Sequence, residues 1–236
     1  MNNYKVTTYK DIKLMDEINT RPHADSNISS HDGEYEMFQE ILNKVSNKEN
    51  PIMIEIGCWW AFWSLCFRKK FPNGKNILVE LGKRHISIGI NNFKLNNFSE
   101  THYWGGFFLG NSNTYSNVKS NYDFPKLPNE YFDENLMGKM TGPELEFIDI
   151  YSIEKLDKID LLHMDIQGSE MPLIDDLHNN YKFILTEKID NIVVATHSQT
   201  IHNNLLEILT NCGFSISKNM DFGTVGGDGM LIATKN

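Results

Sequence analysis

From Ile52 onward the chain alternates short apolar runs with amphipathic ones, and that alternation limits its fold more than any other feature. Residues 52–56 (IMIEI) read as a buried strand, and Trp60 to Lys70 as a helix. Pro72-Asn73-Gly74 turns the chain into a second strand, Asn76 to Glu80. Arg84 to Asn96 is helical, with Ile86, Ile90 and Phe93 on one face, and a third strand is expected from about Thr101 to Phe107. Further on, residues 147–151 and Ile159 to Met164 read as strands, with a short helix starting at Ser152 between them. A helix begins near Ser169, where Pro172 is tolerated in the first turn. Residues 191–196 (NIVVAT) form another strand, and Gln199 to Cys212 a helix stopped by Gly213. The last two strands, Phe214 to Lys218 and Met230 to Thr234, have no helix between them. Strand–helix–strand units close through right-handed crossovers into a mostly parallel, doubly wound α/β sheet. The final pair adds a hairpin and therefore one antiparallel strand.

Residues 1–30 read as an irregular N-terminal arm and residues 31–236 as a single domain. Asp32 can cap a helix with Glu34 and Glu36 in its first turn, and Met37, Ile41 and Val45 repeat along one side of it. Residues 109–146 break the rhythm with a polar stretch carrying Tyr115, Tyr122, Phe124, Tyr131 and Phe132. A loop that long inside a compact domain reads as a lid or an insertion.

Charge narrows the partners. With 22 Lys+Arg against 31 Asp+Glu, the net charge is −9. Such a chain is a poor electrostatic match for nucleic acid or an anionic membrane, so a small-molecule or carbohydrate substrate is expected. Cys58, Cys66 and Cys212 form no C-x-x-C pair, which disfavours both a disulfide framework and structural zinc. Sparse cysteines in apolar stretches fit reduced thiols in a cytoplasmic protein. The N-terminus lacks the apolar region of a signal peptide. The strongest apolar stretch, Ile56 to Phe67, is 12 residues long; spanning a bilayer takes roughly 20. A soluble protein is expected.

In sheets of this type ligands bind at the carboxyl ends of the strands, so the tips hold the candidate residues. Gly57 lets the backbone turn and leaves room for a ligand. A nicotinamide dinucleotide wants two further glycines at G-x-G-x-x-G spacing, but Trp59 and Phe62 fill those places. An NAD(P)-dependent oxidoreductase or epimerase is therefore the alternative, not the first reading. Glu55, two residues before Gly57, suits a cationic group such as an ammonium. Glu80, 23 residues after Gly57, is placed to accept both hydroxyls of a ribose. Residues 163–170 carry Asp165, Gln167 and Glu170, whose unpaired burial would be costly, so a ligand or partners are expected there. Helix capping by Asp165 or Ser169 is the structural alternative. His197, with His202 five residues on, sits at a strand end and has a pKa range suited to a general base. A packed, hydrogen-bonding histidine is the alternative there. Asp165 and His197 could contribute to a divalent metal site, but hard cations prefer several oxygens, so no metal is expected. Tyr115 and Lys119 match a dehydrogenase pair only by chance, since they lie outside any helical pattern.

Six segments together resemble the FkbM family of S-adenosylmethionine-dependent methyltransferases. They are HDGEYEMFQEIL (31–42), EIGCWWAFWS (55–64), VELGKRHISIGINNFKLNN (79–97), IDLLHMDIQGSEMPLI (159–174), VVATHSQTIH (193–202) and GDGMLIA (227–233). The combination of D-x-Q-G-x-E with the first-strand motif is the specific part, and the middle insertion is unmatched. The resemblance implies a Rossmann-like class I methyltransferase fold and S-adenosyl-L-methionine as cofactor. It also implies O-methylation of a sugar, glycan or other small molecule; the chain lacks the Asn/Asp-Pro-Pro-aromatic pattern of enzymes that methylate base amines. Glu55, Gly57 and Glu80 would surround the cofactor, with Cys58, Trp59, Ser64 and Asp165 completing the set. Asp165, Gln167 and Glu170 would face methyl transfer, with His202 beside the acceptor and His197 or Asp165 taking its proton. Trp59 and Ala61 stand where similar proteins often carry Asn and a glycine or other small residue, which keeps a catalytically inactive binding module as a further alternative.

Overall fold

Period-two alternation along the central strands builds two cores, one on each face of a single sheet. The computed structural model of the chain describes residues 6–15, 32–45, 48–80, 83–98, 102–105, 156–225 and 227–235. In chain order the elements are β1 (Val6–Tyr9), β2 (Ile12–Met15), α1 (Asp32–Val45), β3 (Ile52–Ile56), α2 (Phe62–Lys70), β4 (Lys75–Glu80), α3 (Lys83–Leu95) and β5 (His102–Gly105). There follow β6 (Leu161–Met164), α4 (Glu170–Asn180), a π-helical turn (Ile184–Lys188), β7 (Asn191–Thr196), α5 (Gln199–Asn211), β8 (Phe214–Val225) and β9 (Asp228–Lys235).

Seven strands lie in the order β5-β4-β3-β6-β7-β9-β8. Strands β3 to β7 pair in parallel, β9 pairs antiparallel with β7, and β8 antiparallel with β9. The expected doubly wound sheet and terminal hairpin are both present. The hairpin is longer than its apolar runs imply, because irregularities between Ile216 and Lys218 and between Met220 and Val225 let β8 continue past them.

On one face Ile54, Ile56, Val79 and Met164 pack with Leu173 and Ile174 of α4 and Leu205 and Leu209 of α5. On the other, Met53, Leu78, Leu161 and Val193 pack with Phe38 and Ile41 of α1, Leu65 and Phe67 of α2, and Phe93 of α3. Glu55 pairs in register with His163. Both alternate with residues of the first face, so they project into the second, where the His163 ring meets Phe38 edge-on at 5.9 Å.

The expected irregular arm contains order. Within residues 1–30, β1 and β2 form a hairpin whose two turn residues, Lys10 and Asp11, are left-handed at φ 50° and 60°. Ile12 and Leu14 are buried in the second core, and Met15 is buried as well. Asn92 on α3 and Asn96, just past its end, take up the outer edge of β2. Their side-chain oxygens accept from Met15 N (2.8 Å) and Lys13 N (2.9 Å). The expected insertion at 109–146, the strand at 147–151 and the helix at Ser152 lie outside the described residues. Among the described residues no helix is long and apolar enough to cross a membrane.

Candidate functional site

β3 has β4 on one side and β6 on the other, and the chain crosses over in opposite directions from this point. Strand order reverses there, which opens a crevice at the carboxyl ends. The three tips are tied together. Gly57 N and Cys58 N both donate to Val79 O, at 2.9 and 3.1 Å, and Asp165 N donates to Ile56 O at 3.0 Å. Gly57, at φ 78°, is required: a β-carbon there would lie 1.9 Å from the Asp165 carbonyl oxygen. Trp59 and Ala61 hold φ 45° and 66°, the left-handed region that glycine or asparagine enters with less strain. This turn delays α2, which starts at Phe62 and not at the expected Trp60.

Trp59 N donates to Glu80 Oε2 at 2.9 Å. Trp59 is 44% exposed and its indole stacks on the His85 ring at 5.2 Å, while His85 Nδ1 lies 3.6 Å from Glu80 Oε1. A carboxylate has about four acceptor positions, and that of Glu80 stands where a ribose is held in sheets of this type. Placed at the end of β4 beside the Gly57 turn, it fits an adenosyl cofactor.

Other residues expected around the cofactor lie behind this surface. Glu55 is buried, and its Oε2 accepts from Ser64 N at 3.0 Å. Burial pushes its pKa up to about 8, so at neutral pH it is mostly a neutral acid and does not present a carboxylate to an ammonium. Its neighbour His163 is driven down to about 4 by the same burial and stays neutral, with Nδ1 3.9 Å from Glu55 Oε1. The Ser64 side chain is fully buried and its hydroxyl has no hydrogen-bond partner. Cys58 is buried, and its thiol is held well above its ordinary pKa by that burial. Glu55, Ser64 and the Cys58 side chain therefore brace the turn from inside. His202, expected beside the acceptor, is tied into the fold. It is buried, with Nδ1 2.9 Å from Thr196 Oγ1 and Nε2 2.7 Å from Asn219 Oδ1, so both ring nitrogens are used in joining β7, α5 and β8.

The tips of β6, β7 and β9 converge on His197. Its Nδ1 lies 2.8 Å from Glu170 Oε1, and its Nε2 lies 3.3 Å from Asp165 Oδ1 and 3.8 Å from Asp228 Oδ2. The Gln167 amide nitrogen donates to Asp165 Oδ1 at 3.0 Å and stands 2.8 Å from His197 Nε2. Glu170 is wholly buried and also accepts from Ile166 N (2.9 Å) and Gly168 N (3.1 Å). It thus positions the Asp165–Gly168 loop and His197, where direct contact with an acceptor was expected. Burial alone would lower the pKa of His197, but Asp165 and Glu170 raise it to about 10. For Asp165, burial works upward, while His197 and Gln167 bring its carboxyl below the ordinary value. The resting pair is therefore imidazolium and carboxylate. Of the two groups expected to take the acceptor proton, Asp165 is held towards its ionised form and His197 towards its protonated one. Asp165, Glu170 and His197 each offer an atom, all three within 4.8 Å of one another, that could hold a cation.

Sequence reasoning missed Asp228 and His85. Asp228 stands between glycines in Gly227-Asp228-Gly229 at the start of β9, and an acidic residue in a tight hairpin entry was the available signal. Nothing local distinguished His85, which becomes notable only through its stack on Trp59.

No family model matches the sequence, and no curated protein matches it. Solved structures do. The chain is similar to precorrin-6y C5,15-methyltransferase from Geobacter metallireducens GS-15 at 15% identity and a TM-score of 0.51, covering 85% of this chain and 88% of that one. It is also similar to WbdD at 10% identity and a TM-score of 0.53, covering 87% of this chain and 40% of that one. Together with the strand order, these likenesses show a Rossmann-like methyltransferase fold.

Proposed function

We propose that the protein is an S-adenosylmethionine-dependent O-methyltransferase of the FkbM type, acting on a hydroxyl of a sugar, glycan or other small molecule. The observation that carries the proposal is the position of Glu80. Its carboxylate closes the end of β4 beside the Gly57 turn, with Asp165 across the switch point, so one crevice offers a ribose acceptor and a proton acceptor. Glu80 and the Gly57–Trp59 backbone would hold the cofactor. When bound, its sulfonium supplies an electrophilic methyl group for in-line displacement.

The chain's own residues then have two tasks. Gln167 orients the acceptor hydroxyl beside Asp165, and Asp165 takes the proton as the new bond forms. His197, held by Glu170, keeps Asp165 in place and offsets its charge. Asp165, Glu170 and Asp228 make this face acidic, which suits a neutral polyol better than a phosphate backbone. The reading is tested by incubating the protein with methyl-labelled cofactor and a panel of glycans and small alcohols. Label should pass to a hydroxyl oxygen, and transfer only to nitrogen or carbon would contradict the O-directed assignment.

A further inference from the structure

Three carboxylates, those of Asp165, Glu170 and Asp228, surround His197. The donors also come from separate elements: Asp165 from the end of β6, Glu170 from the first turn of α4, and His197 from just after β7. They are not a run of surface acids. Glu170 is wholly buried and the His197 side chain is only 11% exposed. His197 Nδ1 lies 2.8 Å from Glu170 Oε1 and its Nε2 3.3 Å from Asp165 Oδ1, so each ring nitrogen faces a carboxylate.

We propose that Asp165, Glu170 and His197 form a binding site for one divalent cation, of the manganese class. The donor atoms lie within 4.8 Å of one another. Opposite ligands of such a cation stand roughly 4–4.6 Å apart, so side-chain adjustments of a few tenths of an ångström close the site. The ring gives up a proton on binding, and one nitrogen with two carboxylates is then a mixed donor set, harder than a zinc site and softer than an all-oxygen magnesium site. Asp228, 3.8 Å from His197 Nε2, stands at the rim as an outer carboxylate. Cation binding does not depend on the methyl-transfer reading. Its consequence does: beside the acceptor, the ion would orient and polarise the hydroxyl that is to be methylated.

The test is titration of the full chain with manganese(II) alone, following free ion by electron paramagnetic resonance and protein stability by thermal melting. One ion per chain is expected, with affinity reduced at least about tenfold in Asp165→Asn and in His197→Gln. The exposed Asp175→Asn on α4 serves as a charge control and should bind like the parent. Absence of saturable binding overturns the proposal, and so does equal affinity in parent, His197→Gln and Asp165→Asn. If Asp165→Asn fails to fold, His197→Gln decides. Binding of S-adenosylhomocysteine is measured separately, so loss of the methyl-transfer reading and loss of the cation site are distinct results.

Discussion

Gly57 and the carbonyl of Asp165 are in direct backbone contact, leaving no space for a side chain between the tips of β3 and β6. That contact sets the floor of the crevice, because the Gly57 turn also carries the backbone that meets Glu80.

Gly57→Ala adds a methyl group against a backbone oxygen at a position of positive φ. The variant should lose roughly 3 kcal/mol of stability or more. Urea unfolding of parent and variant checks this, and a loss below about 1 kcal/mol would show that the tips can separate freely.

The pair Glu55 and His163 gives a pH signature. Folded Glu55 ionises near 8 and unfolded near about 4.3, so its stabilising contribution is full below the lower value and lost as pH rises through 8. Folded His163 titrates near 4, so its contribution is full above about 6.5 and lost as pH falls through 4. Glu55→Gln cannot ionise. Relative to the parent it should gain melting temperature from about pH 5 to pH 8 and level off above that. Melts across that range decide, and a constant offset would contradict a buried, neutral Glu55.

Much of the architecture was legible in the residues, and the reasons are local. IMIEI and NIVVAT are short apolar runs bounded by turn residues, and their strands fall at the expected positions. The hairpin of β1 and β2 was not legible, because its four-residue strands are joined by Lys10-Asp11 where a glycine or asparagine is the usual signal. The π-helical turn at Ile184–Lys188 has no local signature of its own. At the site, Gly57, Glu80, Asp165 and Gln167 could be placed by their positions at strand ends. The charge state of His197 could not. It depends on Asp165 and Glu170 arriving from two separate elements, and only the folded chain brings them to one ring. His202 misled for the related reason that its partner Asn219 lies on β8, across the sheet edge.

His197→Ala removes the cation that balances three carboxylates and anchors Asp165. Turnover on any accepted hydroxyl should fall about 10²-fold or more, with donor affinity nearly intact. Kinetics paired with calorimetry separate the two quantities. Unchanged turnover, or an equal loss of donor binding, would refute the role given to this ring.

His202→Ala leaves Thr196 and Asn219 without a buried partner, so it should cost about 1–3 kcal/mol of stability. Affinity for S-adenosylhomocysteine should not move. A change in that affinity with no change in melting temperature would return His202 to the ligand surface.

The central claim is that the crevice beside Glu80 receives an adenosyl cofactor, and calorimetric titration with S-adenosylhomocysteine tests it most directly. Binding at one site per chain is expected, weakened about tenfold or more in Glu80→Ala. A flat titration of the well-folded parent, or equal affinity in parent and variant, would contradict the account.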